Sequence, residues 1–379
     1  MSAAERVVVV GAGPAGLSMA AALMQRGVDA LVLDRDERIG GSWARRYERL
    51  HLHTIRRFSG LAHHSIPSTY PRYLSKDEYA AYLAEYATRF SLRLALGEAV
   101  TAIRPVAAAV PGWEVQTARR SVTAAVVIVA TGHYTEPRMP AWATANEFAG
   151  RIVHSAQYST GRDFAGARVL VVGLGNSGAE IATDLVEQGA SSVSVAVRTT
   201  PPIVTRELFG VMPVQVFGIA LMPLRIPRVV DRVGAKLRKR AVGDLRPYGL
   251  GEPAWGPFTA RRPAVIDVGF LDVLKAGRVT VRPAVERLDP TGVAFADGSS
   301  EEFDAVVVAT GFGTGLEDVL RDVPGVLSDD GQPLARSGRP TAAPGLYFLG
   351  FDETVRGHLF EARRESKRLA RAVARSLTS

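Results

Sequence analysis

Arg6-Val-Val-Val-Val10-Gly11-Ala-Gly13-Pro14-Ala15-Gly16 near the start of the chain and Arg168-Val-Leu-Val-Val172-Gly173-Leu-Gly175-Asn176-Ser177-Gly178 near its middle decide the fold together. Each begins with an apolar run that shows no polar alternation, the pattern of a strand buried on both faces. Each run ends in a G-x-G-x-x-G turn, and a helical pattern follows. The first helical pattern reaches Arg26 and stops at Gly27; the second, Ala179–Gln188, stops at Gly189. New strands follow at Ala30–Leu33 and Val193–Val197. Strand, glycine turn, helix and strand make the opening of a dinucleotide-binding domain, written here twice.

The repetition extends outward. Short amphipathic strands are expected around Val100, Trp113–Thr117 and Val122, followed by a buried strand, Val126–Ala130, that ends in Ala130-Thr131-Gly132. In the second copy a meander is expected at Val279–Val281 and Val293–Phe295, with Asp297-Gly298 as its turn. The buried strand Ala305–Ala309 then ends in Ala309-Thr310-Gly311. The fold class is therefore α/β: two Rossmann-like dinucleotide-binding domains, each with a small β-meander insert. One domain is expected to take residues 1–160 and 300–379, the other 161–299, with most of 134–162 as a link. Ser75-Lys-Asp-Glu78 is a capping box. It opens a helix that lines Tyr79, Tyr82, Leu83, Tyr86 and Phe90 along one face, a core stripe rather than a stacking platform.

A chain of 379 residues suits two cores rather than one. It has no cysteine, which excludes disulfides, thiolate metal sites and cysteine nucleophiles; no metal site is expected. The net charge of +8 is concentrated in Arg225–Arg246 and Arg363–Arg375, read as solvated helix faces that also attract phosphate-bearing cofactors. Nothing resembles a nucleic-acid module. The apolar run Val211–Leu224 contains two prolines and is shorter than the roughly 20 residues of a membrane span. It reads as a buried or substrate-covering segment, with an interfacial membrane contact as the alternative. The opening stretch leaves no room for a signal peptide before the first strand, so a cytoplasmic location is expected.

A glycine turn binds pyrophosphate because helix N-terminal amides and the helix dipole present positive potential. One such turn alone would be a weak signal. Here each lies between a strand and a helix and is followed by a readout residue. Asp34, 23 positions after Gly11, would accept the ribose hydroxyls of FAD or NAD and repel a 2′-phosphate. Arg198, 25 positions after Gly173, is expected at the matching place, where a guanidinium favours the 2′-phosphate of NADPH; the alternative is a surface cation closing a strand. FAD in the first domain and NADPH in the second follow. Without a cysteine pair the reduced flavin cannot relay electrons through a disulfide, and O2 is the simplest acceptor.

Phe148-Ala-Gly150-Arg-Ile-Val-His154-Ser-Ala-Gln-Tyr158 fits F-x-G-x-x-x-H-x-x-x-Y. Through this motif the chain resembles the class B flavin-containing monooxygenases, and in detail their YUCCA-type, indole-3-pyruvate monooxygenase branch. The resemblance spans almost the whole chain. It runs through Gly41-Ser42-Trp43, Arg46-Tyr47-Glu-Arg-Leu50-His-Leu-His53, Tyr70-Pro71 and Gly175-Asn-Ser-Gly178-Ala-Glu180-Ile181. It continues through Arg206-Glu-Leu-Phe-Gly210, Val265-Ile-Asp-Val-Gly269, Ala309-Thr-Gly-Phe312 and Gly345-Leu-Tyr. Phe351–Phe360 and the basic stretch Val229–Gly251 depart from the plant pattern.

The resemblance implies an NADPH- and FAD-dependent monooxygenase that forms a flavin C4a-(hydro)peroxide and inserts one oxygen atom from O2 into a small organic substrate. The reaction is either oxidative decarboxylation of a 2-oxo acid or oxygenation of a nitrogen or sulfur. His53, close to the flavin ring or else a packing histidine, and Asn176 are the expected catalytic residues. The expected cofactor-binding set is Gly11, Gly13, Pro14, Ala15, Gly16, Asp34, Arg35, Ser42, Trp43, His53, Val100, Thr131, Gly132, Gly173, Gly175, Asn176, Ser177, Gly178, Arg198, Thr199, Thr310, Gly311, Gly350 and Phe351. His154 is read as positioning the link between domains. The alternatives are an NADPH oxidase or flavin reductase that oxygenates nothing, and a non-catalytic FAD-binding redox sensor.

Overall fold

The computed structural model describes residues 5–106, 112–144, 148–208, 210–224, 226–352 and 354–378; Phe209, Arg225 and Glu353, which fall in stretches read above, lie outside these. The chain divides into two compact units. One comprises 1–45, 54–136 and 312–379, the other 46–53 and 137–311.

The first unit is built on five parallel strands in the order Leu94–Ala95, Leu31–Leu33, Glu5–Val10, Ser121–Val129 and Leu346–Phe348. The strands expected separately around Val122 and at Val126–Ala130 are one strand, Ser121–Val129. Its two halves have different neighbours. The first half pairs antiparallel with Gly112–Thr117, and buried residues alternate with exposed ones. The second half lies between the parallel strands Glu5–Val10 and Leu346–Phe348, and every residue from Val126 to Val129 is buried. The change in hydrophobic period mid-strand is what makes one strand read as two. Gly112–Thr117 and Val100–Val106 complete the meander.

The second unit repeats the plan with five parallel strands: Val279–Arg282, Ser192–Ala196, Arg168–Val172, Ala305–Val308 and Arg151–His154. Val279–Arg282 is therefore a sheet strand and not part of the meander as expected; the antiparallel insert is Val285–Leu288, Gly292–Phe295 and Ser300–Glu302. The division between units also departs from the boundaries expected at 160/161 and 299/300. Arg151–His154 pairs with Ala305–Val308, which pairs with Arg168–Val172, so both flanking strands belong to the second sheet. A four-residue strand carries too little periodicity to stand out from a link.

The capping box forms as read. Ser75 Oγ accepts from the Glu78 amide while Glu78 accepts from the Ser75 amide, and the Lys76–Arg89 helix buries Tyr79, Leu83 and Tyr86. The run Val211–Leu224 is only partly buried: its helix Val214–Leu221 buries Gln215 and Gly218, while Val211 is 75% exposed. Among the described residues no helix is long and apolar enough to cross a membrane.

The last helix, His358–Ser376, packs on the first glycine helix, Pro14–Met24, through a buried bond of 2.8 Å between the hydroxyls of Ser18 and Ser366. Beside Ser366, Glu365 is buried and its Oε2 has no hydrogen-bond partner. Burial, and then the charges of Asp352 and Glu361, push its carboxyl up to about 8. A carboxyl raised on folding stabilises the protein fully below its unfolded value, near 4.5, and loses that contribution as pH rises toward 8. Glu365→Gln should therefore match the wild type in urea-unfolding midpoint at about pH 4.5 and exceed it at about pH 9. A midpoint difference that is constant with pH would show that Glu365 does not titrate on folding.

Candidate functional site

The two glycine turns have the same geometry. Gly11 and Gly173 adopt φ of +107° and +103°, a left-handed region that favours glycine. Their amides donate to Leu33 O at 2.7 Å and Ala196 O at 2.9 Å, fastening each turn to the next strand. A Cβ on Gly16 would lie 1.8 Å from Gly11 O, and one on Gly178 would lie 1.9 Å from Gly173 O. Helix and strand can pack this closely only without those side chains. At Gly13 and Gly175 a Cβ would meet nothing within 4 Å, so the turn is open on that side. Both residues are helix N-caps without a side-chain cap, followed by the Pro14–Met24 and Asn176–Glu187 helices. Open space facing uncapped N-terminal amides fits a pyrophosphate in each unit.

In the first unit, Asp34 follows its strand directly and accepts from the amides of Ala12 and Asp36, at 2.5 and 2.7 Å. Burial raises its carboxyl above the ordinary range, and these two bonds work against the rise. Arg35 is exposed. Thr131 and Gly132 follow the end of Ser121–Val129, and Gly350 follows Leu346–Phe348 with its Cα close to Ala15. Glycine turn, Asp34, Gly132 and Gly350 thus share the carboxyl edge of the parallel sheet, where open α/β sheets take their ligands. Trp43 packs edge-on against Tyr79 at 4.7 Å, Ser42 is exposed, and Val100 opens the meander. Phe351 is placed differently from the rest. Its side chain is in the core against Phe348 and its amide donates to Ser337, so only its carbonyl remains for a ligand.

In the second unit the expected match between Arg198 and Asp34 shifts by one residue. The Gly11 amide bonds Leu33 and the Gly173 amide bonds Ala196; the Asp34 amide bonds Ala95 and the Val197 amide bonds Arg282. Val197 is therefore the structural counterpart of Asp34, and Arg198 that of Arg35. The second helix, 12 residues against 11, places the counterpart of Asp34 24 rather than 23 positions after its first glycine, at Val197; Arg198, at 25, lies one residue beyond it. Arg198 and Thr199 are exposed at the bend after the strand. Thr310 donates to Arg138 O at 2.5 Å, and Gly311, φ +91°, offers its carbonyl to the Arg138 amide and His154 Nε2. Asn176 Oδ1 accepts from the Ile266 amide at 2.8 Å, which ties the helix start to the Val265–Asp267 strand.

Residues 46–53 are stitched to the Asn176–Glu187 helix. His53 Nε2 lies 2.6 Å from Oε1 of Glu180, which is 2% exposed. Tyr47 is buried with its hydroxyl on Glu180 and Ser177; burial, and then Glu180, push it well above the usual phenol range. Arg49 holds Glu187 through two bonds of 2.8 Å. Glu180 was not singled out from the sequence. Its burial shows only in the structure: Gly178 to Val186 are all buried, so the two acids among them, Glu180 and Asp184, need internal partners.

The F-x-G-x-x-x-H-x-x-x-Y residues also have physical tasks. Phe148 fills a core with Leu170 and Phe303. Gly150 lets its backbone pass Asp304 O, where a Cβ would come within 2.5 Å. His154 accepts from the Ala156 amide at Nδ1 and donates from Nε2 to Gly311 O, which fixes a neutral tautomer; burial lowers its pKa. Tyr158 donates to Asp184 Oδ2 at 2.7 Å. The motif seats an edge strand and a helix of the second unit; it is not a link.

The family described as pyridine nucleotide-disulphide oxidoreductase matches residues 8–208. Indole-3-pyruvate monooxygenase YUCCA1 of Oryza sativa subsp. japonica is 39% identical over 364 residues, covering 93% of this chain and 87% of the relative. YUCCA6 of Arabidopsis thaliana is 34% identical, covering 96% and 88%. A flavin-containing monooxygenase structure from Stenotrophomonas maltophilia matches all of both chains with TM-score 0.75 at 26% identity. Two dinucleotide turns without any cysteine fit an oxidoreductase that has no disulfide relay, and the relatives place it in the flavin monooxygenase class. Within it, the chain belongs to the flavin-containing monooxygenase family, FAD- and NADPH-dependent enzymes, in the branch of the YUCCA proteins.

The glycine geometry separates two kinds of variant. Gly13→Ala adds a methyl to open space and should cost no more than about 1 kcal/mol of stability, yet reduce the FAD retained on purification at least about ten-fold. Gly16→Ala drives a Cβ into Gly11 O and should lower the melting temperature even of FAD-free protein. Equal melting temperatures for the two FAD-free variants would contradict the packing described.

Proposed function

We propose that the chain oxygenates a small 2-oxo acid with oxidative loss of CO2, with FAD at Gly11–Gly16 and NADPH at Gly173–Gly178. The supporting observation is the 39% identity, over 93% of the chain, to an indole-3-pyruvate monooxygenase. Bound FAD would supply the electron relay from NADPH to O2. The protein's own groups bind, orient and exclude water.

Amides at Gly13 and Gly175 would hold the two pyrophosphates, and Asp34 would accept a plain ribose in the first site. At the second site Val197 offers neither a hydrogen bond nor repulsion, and the exposed guanidinium of Arg198 is available to a 2′-phosphate. His53 is the proposed side chain at the reaction centre. Its bond to Glu180 commits Nε2 and sets the ring orientation, leaving Nδ1 as the remaining polar atom. Asn176, with Oδ1 committed to Ile266, retains its amide hydrogens for the nicotinamide side. A cytoplasmic location belongs to the same proposal and agrees with use of NADPH.

Incubation with NADPH, O2 and a panel of aryl 2-oxo acids should release one CO2 per NADPH oxidised. Products bearing oxygen on nitrogen or sulfur, from amine and thioether panels without CO2 release, would favour the other oxygenation. NADPH oxidation matched by H2O2 with every compound would make the protein an oxidase. Replacing Arg198 with alanine should raise KM for NADPH about ten-fold or more while moving that for NADH less than about three-fold; equal losses would remove Arg198 from phosphate recognition. Glu180→Gln retains shape and should lower kcat with little change in KM for NADPH. An unchanged kcat would reduce the His53–Glu180 pair to packing.

A further inference from the structure

The basic run at the end of the chain is not merely a solvated face. On the last helix Phe360, Arg363, Arg364 and Lys367 fall at spacings of three and four, so they share one stripe. That stripe forms one wall of a cavity of about 410 Å3 whose other wall is Arg57, Phe58 and Ser65. The volume lies in the range of small-molecule sites. Phe58 and Phe360 meet edge to face at 5.9 Å, and Arg57 lies over the Phe58 ring. Phe58, Phe360, Arg363 and Lys367 are half-buried; Arg57, Ser65 and Arg364 stand at the rim.

Among the described residues, four cations and no acid line this cavity. The helix does carry two buried acids, but they face elsewhere: Glu361 is bonded to Arg356, and Glu365 lies among Asp352, Arg364 and Arg368. The positive field registers on neighbouring groups. Lys367 is lowered from its ordinary value by burial and then by Arg363 and Arg371, and His63 by burial and then by Lys367, Arg26 and Arg363. Holding like charges around a half-buried cavity costs stability unless an anion is bound. Two half-buried rings, Phe58 and Phe360, stand in the cavity wall beside those charges and suit an apolar body on the same ligand.

We propose that this cavity is a binding site for an organic anion, a carboxylate on an aromatic or aliphatic body, separate from both glycine turns. The carboxylate sits among Arg363, Lys367 and Arg57, and the body rests on Phe58 and Phe360.

The test is calorimetric titration of FAD-loaded protein saturated with NADP+, using 3-phenylpropionate, its neutral amide and inorganic phosphate. 3-Phenylpropionate resembles an aryl 2-oxo acid, so its binding is assigned to this cavity only where substitutions at Arg363, Lys367 and Phe360 remove it, and CO2 release by the same variants tests the proposed reaction separately. The carboxylate should bind at least about ten-fold more tightly than the amide and than phosphate. The double substitution Arg363→Ala and Lys367→Ala should weaken it about ten-fold or more, and so should Phe360→Ala, while Arg363→Lys retains binding. All are on half-exposed faces, and retained FAD content verifies folding. Equal binding of carboxylate and amide, equal binding of phosphate, or binding untouched by the double substitution would overturn the proposal.

Discussion

A carbonyl oxygen and a missing methyl set the geometry on which both units rest. In each turn the third glycine passes over the carbonyl of the first so closely that a Cβ would lie under 2 Å away. That approach fixes where the helix starts relative to the strand and sends the first helical amides toward the open side at Gly13 or Gly175. The constraint is local, which is why it recurs to within about 0.1 Å in two stretches whose intervening residues differ. A phosphate site made of backbone leaves the side chains of each unit free to diverge. They do so at the next strand, where one unit presents Asp34 and the other Val197 and Arg198.

Much of this was legible because the decisive features are short and backbone-driven. The two apolar strands Val7–Val10 and Val169–Val172, the glycine spacings, the Ser75–Glu78 box and the tyrosine stripe each read correctly from composition and period. The errors have a common cause as well. Arg151–His154 and Val279–Arg282 are four-residue strands whose identity comes from their parallel neighbours, not from their own pattern. Ser121–Val129 changes environment halfway along, so its period changes with it. The place matching Asp34 is Val197, 24 positions after Gly173 instead of 23, because the helix between is one residue longer; Arg198, at 25, was one residue too far. Counting from a motif is reliable only as far as the next element of variable length.

The F-x-G-x-x-x-H-x-x-x-Y motif illustrates how a family signature can be a packing requirement. Its phenylalanine fills, its glycine clears a backbone, its histidine ties a strand end to Gly311 and its tyrosine ties to Asp184. None of these tasks is chemistry on a substrate. Each would nonetheless disturb the second nucleotide turn if lost, because Gly311 and Asp184 belong to the strand end and helix that frame it. Loss of one such contact leaves its partner a single remaining bond, Gly311 O to the Arg138 amide or Asp184 to the Gly161 amide.

The Asn176–Glu187 helix concentrates the remaining function. Its first turn is left uncapped toward the open side at Gly175, Glu180 holds His53 and Tyr47, Asp184 holds Tyr158 and the Gly161 amide, and Glu187 holds Arg49. Two buried carboxylates in one helix are expensive to desolvate, and isosteric apolar residues would pack there at less cost. Their partners explain their presence. From Asn176 to Glu180 a helix rises about 6 Å, so the imidazole of His53 is referenced to the nucleotide-facing turn through a single rigid span. A residue on the irregular connection 46–53 gains the positional precision of a helix, which a loop contact could not give it.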